Sequence, residues 1–278
     1  MTEFGAVYRQ ELNRHGYPFQ NSVIRAAKEL FEAGKSPWIF RAAEFPVSVR
    51  GKVTHIDFIL EHRDNPLYLI GECKRVNPAL SNWCFARSLF TRRNPQETKL
   101  IIQSIWQSER ASHTVLTGIS SENSEQIYHL GLEIKSNKKG DNQGQQKGEA
   151  LNKGAEQACL GINGMIEFFA TRPTLLAGRG KVHLLPAIFT TAQIFTSNVD
   201  LGSANIKTGD LDNTTVALIE QPWIWLQYNI SPTLSHSQHV SPAARSMESV
   251  LEQEFCRSIA IVSPQGIESF LSRDWWLA

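Results

Sequence analysis

The chain of 278 residues lacks several features that would assign it to a class at once. Its charge has no dominant sign, because 28 Lys and Arg residues balance 27 Asp and Glu residues and leave a net charge of +1. A balanced charge gives no global attraction to nucleic acid. No apolar run approaches a membrane span, and no N-terminal signal-peptide pattern is present. We therefore expect a cytoplasmic protein without a membrane partner.

Cysteine and metal-binding motifs are also scarce. Cys73, Cys84, Cys159 and Cys256 show no paired metal spacing and no disulfide framework, so we expect buried thiols of a reducing compartment. His236 and His239 have no Cys or acid partner at ligand spacing, and we expect them at the surface. A Gly-rich phosphate loop of the Walker type is missing, which argues against nucleotide hydrolysis.

Three strand-like segments near the N-terminus carry the acids Glu44, Asp57 and Glu72. The turn at 50–51 lies midway between Glu44 and Asp57, and the turn at 64–66 lies midway between Asp57 and Glu72. If both connections are antiparallel hairpins, the three acids form a row across adjacent strands.

Side-chain alternation along each strand supports the same row, because successive residues point to opposite faces. In the second segment, Ile56 and Phe58 are expected to share an apolar face, with Asp57 on the other. In the third, Glu72 and Lys74 fall on one face together. A one-residue slip would move the acids among apolar side chains, so burial favours this register.

Carboxylates directly opposite each other destabilise a sheet, so the row calls for a compensating cation. Mg²⁺ prefers oxygen ligands and is usually held by one or two carboxylates together with substrate phosphate, and Mn²⁺ is a substitute. Lys74 could orient the attacking water or offset charge on the phosphate oxygens. Together these groups suit metal-assisted hydrolysis of phosphodiesters. The alternative is a surface salt bridge among Asp57, Glu72 and Lys74, which would contribute little.

The run Ile56-Asp57, fourteen intervening residues and then Glu72-Cys73-Lys74 resembles the signature of the PD-(D/E)XK nuclease superfamily. The resemblance covers roughly residues 20–76 and, more loosely, 149–170. It implies that Asp57 and Glu72 hold the metal and that Lys74 assists the water. It also implies a restriction-endonuclease-like α/β core of a helix, three antiparallel strands, a second helix and a further strand. Ile56 replaces the proline of the motif, which supplies no ligand.

We predict a single elaborated domain. Its core would comprise about residues 20–76 and 149–196, with an insertion over about 78–135 and a C-terminal extension over about 215–278. The first core helix is predicted over 20–33 from its apolar spacing. Gln20 lies on the apolar side of this helix and could approach the acids, although an exposed first-turn position is the preferred interpretation.

The remaining segments give coarser expectations. Residues 100–106 suggest a short helix, and 182–190 a buried strand that 193–196 continues or pairs with. Residues 223–226 predict another apolar strand, whose tryptophans are expected in the core rather than stacked on bases. A strand at 259–262 and a helix at 265–271 close the chain, and 136–148 reads as a polar linker.

Basic and amide side chains near the predicted site suggest nucleic-acid contacts. Lys153 and Gln157 lie one turn apart on the polar side of the 149–170 helix, where a glutamine is frequent in the superfamily; a solvated face is the alternative. Only Glu97 opposes a basic cluster between Cys73 and Lys99, made of Lys74, Arg75, Arg87, Arg92, Arg93 and Lys99. This cluster could follow a phosphate backbone or form a solvated loop.

These patterns predict a Mg²⁺-dependent nuclease that hydrolyses nucleic acid. DNA is preferred over RNA because most of the resembling superfamily acts on DNA, in prokaryotic restriction, repair or defence. Arg75, Arg87 and Lys153 are the candidates for binding nucleic acid, and Glu44, Gln20 and Gln157 for support. Because cutting both strands usually needs two active sites, a homodimer is a hypothesis. The alternative function is a non-catalytic nucleic-acid-binding module on a nuclease-like scaffold.

Overall fold

The computed structural model describes residues 3–88, 99–107, 112–120, 127–134, 149–211, 215–231 and 255–273. These residues form a mixed α/β fold with one nine-stranded and one four-stranded sheet. The helices are α1 (Glu3–Arg14), α2 (Tyr17–Glu32), α3 (Ala150–Ala170) and α4 (Ile267–Leu271). The strands are β1 (Trp38–Val49), β2 (Lys52–His62), β3 (Leu67–Lys74), β4 (Asn82–Ala86), β5 (Lys99–Gln107), β6 (Ser112–Ser120), β7 (Ile127–Tyr128), β8 (Leu130–Ile134), β9 (Val182–Thr190), β10 (Gln193–Ser197), β11 (Ile219–Gln221), β12 (Trp223–Asn229) and β13 (Cys256–Val262).

Strands β1, β2 and β3 form the two antiparallel hairpins that the sequence spacing predicts. The first hairpin closes with Val49 paired to Lys52, so its loop has two residues. Arg50 and Gly51 both have positive φ, 51° and 77°. A type I′ turn requires positive φ at both positions, and its twist matches that of the flanking strands. Glycine adopts this conformation without strain, which explains why the hairpin turns here.

The nine-stranded sheet has the order β1-β2-β3-β9-β13-β12-β7, and β5 pairs with both β9 and β6. Strands β3 and β9 are parallel, and the chain between them includes α3, which packs on the sheet. Gly164 allows this approach, because a Cβ atom there would lie 2.3 Å from Val47 Cγ2. Gly164 therefore permits close contact between α3 and β1.

The two faces of this sheet are covered by different helices. Val23 and Ala27 of α2 and Phe270 of α4 pack in one buried cluster with Phe58 and Phe189 of the sheet. The opposite face packs against α3. The predicted strand over 223–226 is confirmed, and its tryptophans lie in the core, in the cluster beneath α2 and α4.

The four-stranded sheet has the order β11-β10-β4-β8 and corrects one prediction. Strand β10 neither continues nor pairs with β9; it pairs in parallel with β4, where Ile194 faces Trp83. Trp83 and Ile194 then pack with Leu151 and Ala155 from the start of α3 in a separate buried cluster. The distance of the β4 partner in sequence explains why this pairing left no local signal.

The predicted helix over 100–106 is also wrong, because these residues belong to strand β5. Ile101 and Ile105 are one helical turn apart, which suggested a helix. Leu100 and Ile102 instead pack on the α2 face, whereas Ile105 packs on the α3 face. A strand buried on both faces shows a continuous apolar run, and such a run can be confused with a helix.

The predicted insertion contributes to both sheets, since β5 joins the larger sheet and β4 and β8 join the smaller one. The division into core, insertion and extension stays a prediction. Several predicted features fall outside the described residues: the linker at 136–148, His236, His239, Arg92 and Arg93. Within the described part of the chain, no helix combines the length and apolar character needed to cross a membrane.

Candidate active site

The strand register brings the three predicted acids together. Glu44 lies between the pairs Ala43–Phe58 and Phe45–Ile56, which sets it opposite Asp57. The β2–β3 register pairs Phe58 with Gly71, so the next positions along these strands are Asp57 and Glu72. The row inferred from turn spacing is therefore the row that the strands form.

Glu72 and Lys74 lie on the face of β3 that carries α3. Lys74 Nζ donates to Glu72 Oε1 across 2.6 Å and also donates to Gln157 Oε1 on α3. A Cβ atom at Gly154, one turn before Gln157, would lie 3.2 Å from Lys74 Cε. The lysine thus runs along α3 between the glycine and the glutamine, and its ammonium group joins the strand to the helix.

Asp57 is held by the backbone of the neighbouring strand, because Cys73 N–H donates to its Oδ2 across 2.6 Å. Regular alternation stops at this residue. Ile56 packs against Gly161 on the α3 side, whereas Phe58 packs on the α2 side, so the prediction that they share a face is wrong. The break coincides with the φ of +48° at Glu44 on the adjacent strand, a conformation that L-residues rarely adopt and that concentrates at functional sites.

Gln20 is buried, with 6% of its surface exposed, and bonds directly to the row. Its Nε2 donates to Glu44 Oε1 at 2.6 Å and to the Asp57 carbonyl oxygen at 2.8 Å. The preferred exposed position for Gln20 is therefore wrong. Helix α2 begins at Tyr17, three residues earlier than predicted, and this places Gln20 beyond the first three helical positions and against the sheet.

Burial and mutual repulsion perturb the acids. Glu72 is buried, and desolvation, followed by the charge of Asp57, raises its pKa to about 7, although Lys74 acts to lower it. The pKa of Asp57 is also raised, first by burial, with the Cys73 N–H opposing the shift. Burial raises the pKa of the Cys73 thiol well above its usual range, which disfavours the thiolate form. The site therefore holds excess negative charge that a cation would stabilise.

The donor chemistry fits a divalent ion with a small protein ligand set. Asp57 and Glu72 each use one oxygen to accept an N–H, and among the described residues the second oxygen of each has no hydrogen-bond partner. The described residues contain no group of three or more His, Cys, Asp or Glu side chains able to hold a metal. Two carboxylates match Mg²⁺, which retains several waters and binds substrate phosphate directly.

The other predicted binding residues occupy different surroundings. Arg75 is exposed and donates from Nη1 to the Asn13 carbonyl oxygen at 2.6 Å. The Arg87 guanidinium lies over the Tyr128 ring, 5.4 Å from its centroid. Lys153 is exposed and forms an ion pair with Glu149. Of the two polar positions predicted on α3, Gln157 reaches the acids through Lys74.

One contributor to the site escaped sequence reasoning. The Cys73 backbone N–H binds Asp57, and a backbone donor leaves no mark on residue type. Gly154 gives Lys74 room beside α3. A glycine within an apolar helical pattern indicates close packing, and here the group that comes close is Lys74.

Comparison of the chain with protein-family models, with curated proteins and with solved structures finds no match.

Proposed function

We propose that this protein is a divalent-metal-dependent nuclease that hydrolyses phosphodiester bonds of nucleic acid, with DNA as the preferred substrate. The observation that carries the proposal is the geometry of the site: Asp57 and buried Glu72 lie side by side on adjacent strands, and Lys74 Nζ donates to Glu72 Oε1. Keeping two carboxylates together in a buried site costs free energy, and a structural sheet gains nothing from it. A cation-dependent reaction would explain why the two carboxylates lie together in spite of this cost.

The order of elements also supports the proposal. Helix α2, strands β1 to β3, helix α3 and strand β9 follow the order that a PD-(D/E)XK resemblance implies. Ile56-Asp57 and Glu72-Cys73-Lys74 fall at the meeting point of β2 and β3. We therefore extend the proposal to a restriction-endonuclease-like core with these residues as its catalytic motif.

Asp57 and Glu72 would hold the Mg²⁺ or Mn²⁺ ion through their unbonded oxygens. The ion, when bound, polarises the phosphate and lowers the pKa of a bound water. Lys74 has three N–H donors, and Glu72 and Gln157 take two of them. The third remains for the attacking water or for a phosphate oxygen. Gln20 positions the acids from α2, because its Nε2 donates hydrogen bonds to the Glu44 carboxylate and to the Asp57 carbonyl oxygen.

A cleavage assay on circular and linear DNA and on RNA, with Mg²⁺, Mn²⁺ or chelator, tests the proposal. We expect metal-dependent cleavage that falls roughly 100-fold or more in Asp57→Asn and Lys74→Met while circular dichroism stays unchanged. The controls are Asp64→Asn in the exposed turn and Lys35→Met, which removes an exposed ion pair with Glu268. Cleavage of the circle would identify an endonuclease.

Two results would contradict the proposal. Undiminished cleavage in both Asp57→Asn and Lys74→Met would remove the assigned residues from the reaction. Binding of nucleic acid without hydrolysis of any substrate would instead favour the non-catalytic module. Light scattering at the assay concentration tests the homodimer hypothesis, because a strictly monomeric species would exclude it.

A further inference from the structure

Helix α1 forms one wall of an open groove. Nearly all of its described side chains are exposed. The opposite wall is the segment that follows β3, and the groove has a volume of about 800 Å³. Its polar lining consists of Arg9, Gln10, Asn13, Arg14, Arg75 and Asn77.

The groove has a consistent positive charge. Three arginines line it, and none of the described residues in its lining is acidic. Glu11 lies 3.7 Å from Arg14, but both side chains are substantially exposed, and such pairs interact weakly in water. Arg75 donates one of the five N–H groups of its guanidinium to the Asn13 carbonyl oxygen. Three arginines along an open groove suit an anionic ligand whose charge repeats along its length.

Both walls of the groove are joined to the candidate active site. Arg75 directly follows Lys74, so one wall begins where β3 delivers the catalytic lysine. On the other side, α1 runs through Gly16 into α2, which carries Gln20. The bond from Arg75 to the Asn13 carbonyl ties the two walls together. The residue that directly follows Lys74 therefore lines the groove.

We infer that this groove binds the phosphate backbone of the nucleic acid on one side of the bond to be cut. Arg9 and Arg14 are five residues apart, or about 7.5 Å along the helix axis. Successive phosphates of one strand advance about 3.4 Å along a duplex, so the two arginines meet different phosphates. Phosphate contacts position the strand and carry no sequence information. Binding here is independent of base sequence. The inference rests on the proposed function only in that it takes the adjoining site to be the one that cuts nucleic acid.

Salt-dependent binding of the full-length protein to a fluorescent oligonucleotide in chelator tests the groove. The variant is Arg9→Ala with Arg14→Ala, and the matched control is Arg25→Ala with Arg63→Ala, which removes two exposed arginines elsewhere. We expect the slope of log K against log salt to fall by about 2 for the groove variant, equally for unrelated sequences. The control pair keeps the wild-type slope.

A second measurement separates the groove from the chemistry. Wild type and Asp57→Asn are assayed with Mn²⁺ on bis(p-nitrophenyl) phosphate, which is too small to span both sites. Hydrolysis that depends on Asp57, together with an unchanged salt slope in the groove variant, overturns the groove and leaves the nuclease standing. A reduced slope without any hydrolysis by wild type overturns the nuclease and supports the groove. Poly-glutamate that displaces DNA at equal charge concentration would overturn nucleic acid as the occupant.

Discussion

Lys74 reaches Glu72 from two positions further along the same strand, with 2.6 Å between Nζ and Oε1. Even so, the pKa of Glu72 stands at about 7, because burial and the charge of Asp57 outweigh the ammonium group. The ion pair therefore leaves the site electrostatically unsatisfied. A divalent ion would correct this imbalance.

Gly154→Ala should lower activity more than stability. The new Cβ would lie 3.2 Å from Lys74 Cε and Cγ, so the lysine must move away from Gln157 and Glu72. Small displacements of a catalytic group can cost about 10- to 100-fold in rate, whereas alanine gains up to about 1 kcal/mol of helix propensity. Cleavage rate and urea unfolding measure the two effects.

Gly161→Ala is the matched control for this prediction. It lies on the same helix, and its Cβ would approach Ile70 and Ile56 at 3.1 and 3.3 Å. The crowding is similar but touches only hydrocarbon. Equal loss of cleavage in both variants would show that crowding beneath α3, and not the position of Lys74, limits the rate.

Gln20→Ala should destabilise the protein and weaken metal-dependent cleavage. The change removes both hydrogen bonds from Nε2 and leaves the Asp57 carbonyl without this donor, which costs about 1–3 kcal/mol. Chemical denaturation and the metal concentration for half-maximal cleavage provide the readouts. Asn21→Ala, which removes only a local bond to the Tyr17 carbonyl on the exposed side of α2, should leave both unchanged. An unaltered metal requirement in Gln20→Ala would exclude a supporting role.

Glu72→Gln should change how stability depends on pH in chelator. The folded pKa of Glu72 is about 7 and its ordinary value is 4.5, so the folded state binds more protons between these pH values. The free energy of unfolding of wild type therefore falls as pH rises through this window, by about 1.4 kcal/mol per unit of pKa difference at most. The variant lacks this contribution, and its advantage over wild type should grow from pH 4.5 to 7.

The measured quantity is the difference in free energy of unfolding between wild type and Glu72→Gln. The difference is needed because His183 makes stability rise with pH, whereas Glu72 makes it fall. Burial lowers the pKa of His183 from 6.5 to about 4, so its contribution to stability increases with pH across that range. His183 Nδ1 lies 2.7 Å from Ser104 Oγ on the neighbouring strand, and both wild type and Glu72→Gln retain this pair. Parallel curves for wild type and Glu72→Gln would contradict the raised pKa.

Mn²⁺ or Mg²⁺ should raise the melting temperature of wild type and leave Asp57→Asn unaffected. An ion that binds only the folded state adds RT ln(1 + [M]/Kd), about 1.4 kcal/mol at ten times Kd. Differential scanning fluorimetry with and without metal measures the shift. Asp64→Asn should respond as wild type does. An equal metal shift in Asp57→Asn would place the ion elsewhere.

Local rules account for the parts of the site that were predicted correctly. The midpoint of a hairpin follows from its turn residues, which is why the sequence alone aligns Glu44, Asp57 and Glu72. The pairing of Glu72 with Lys74 follows from the two-residue repeat of a strand. Both rules involve residues close in sequence, so the sequence alone carried enough information.

Strand pairings between residues far apart in the chain were not predicted, and the reason is also physical. Strand β10 pairs with β4, more than a hundred residues away in sequence, and β5 pairs with β9 at a separation of about 80 residues. An apolar run buried on both faces resembles either a helix or a strand until its neighbours are known. Gln20 was misplaced because the start of its helix decides which way it points.

The order of residues by itself determined that two carboxylates and a lysine would lie together on adjacent strands. Tertiary structure decided what surrounds them: α3 brings Gln157 and Gly154 to Lys74, and α2 brings Gln20 to Glu44. It also decided how deeply Glu72 is buried, and hence its pKa of about 7. Alignment along a strand depends on near neighbours in the chain, whereas burial depends on elements that only folding brings into contact.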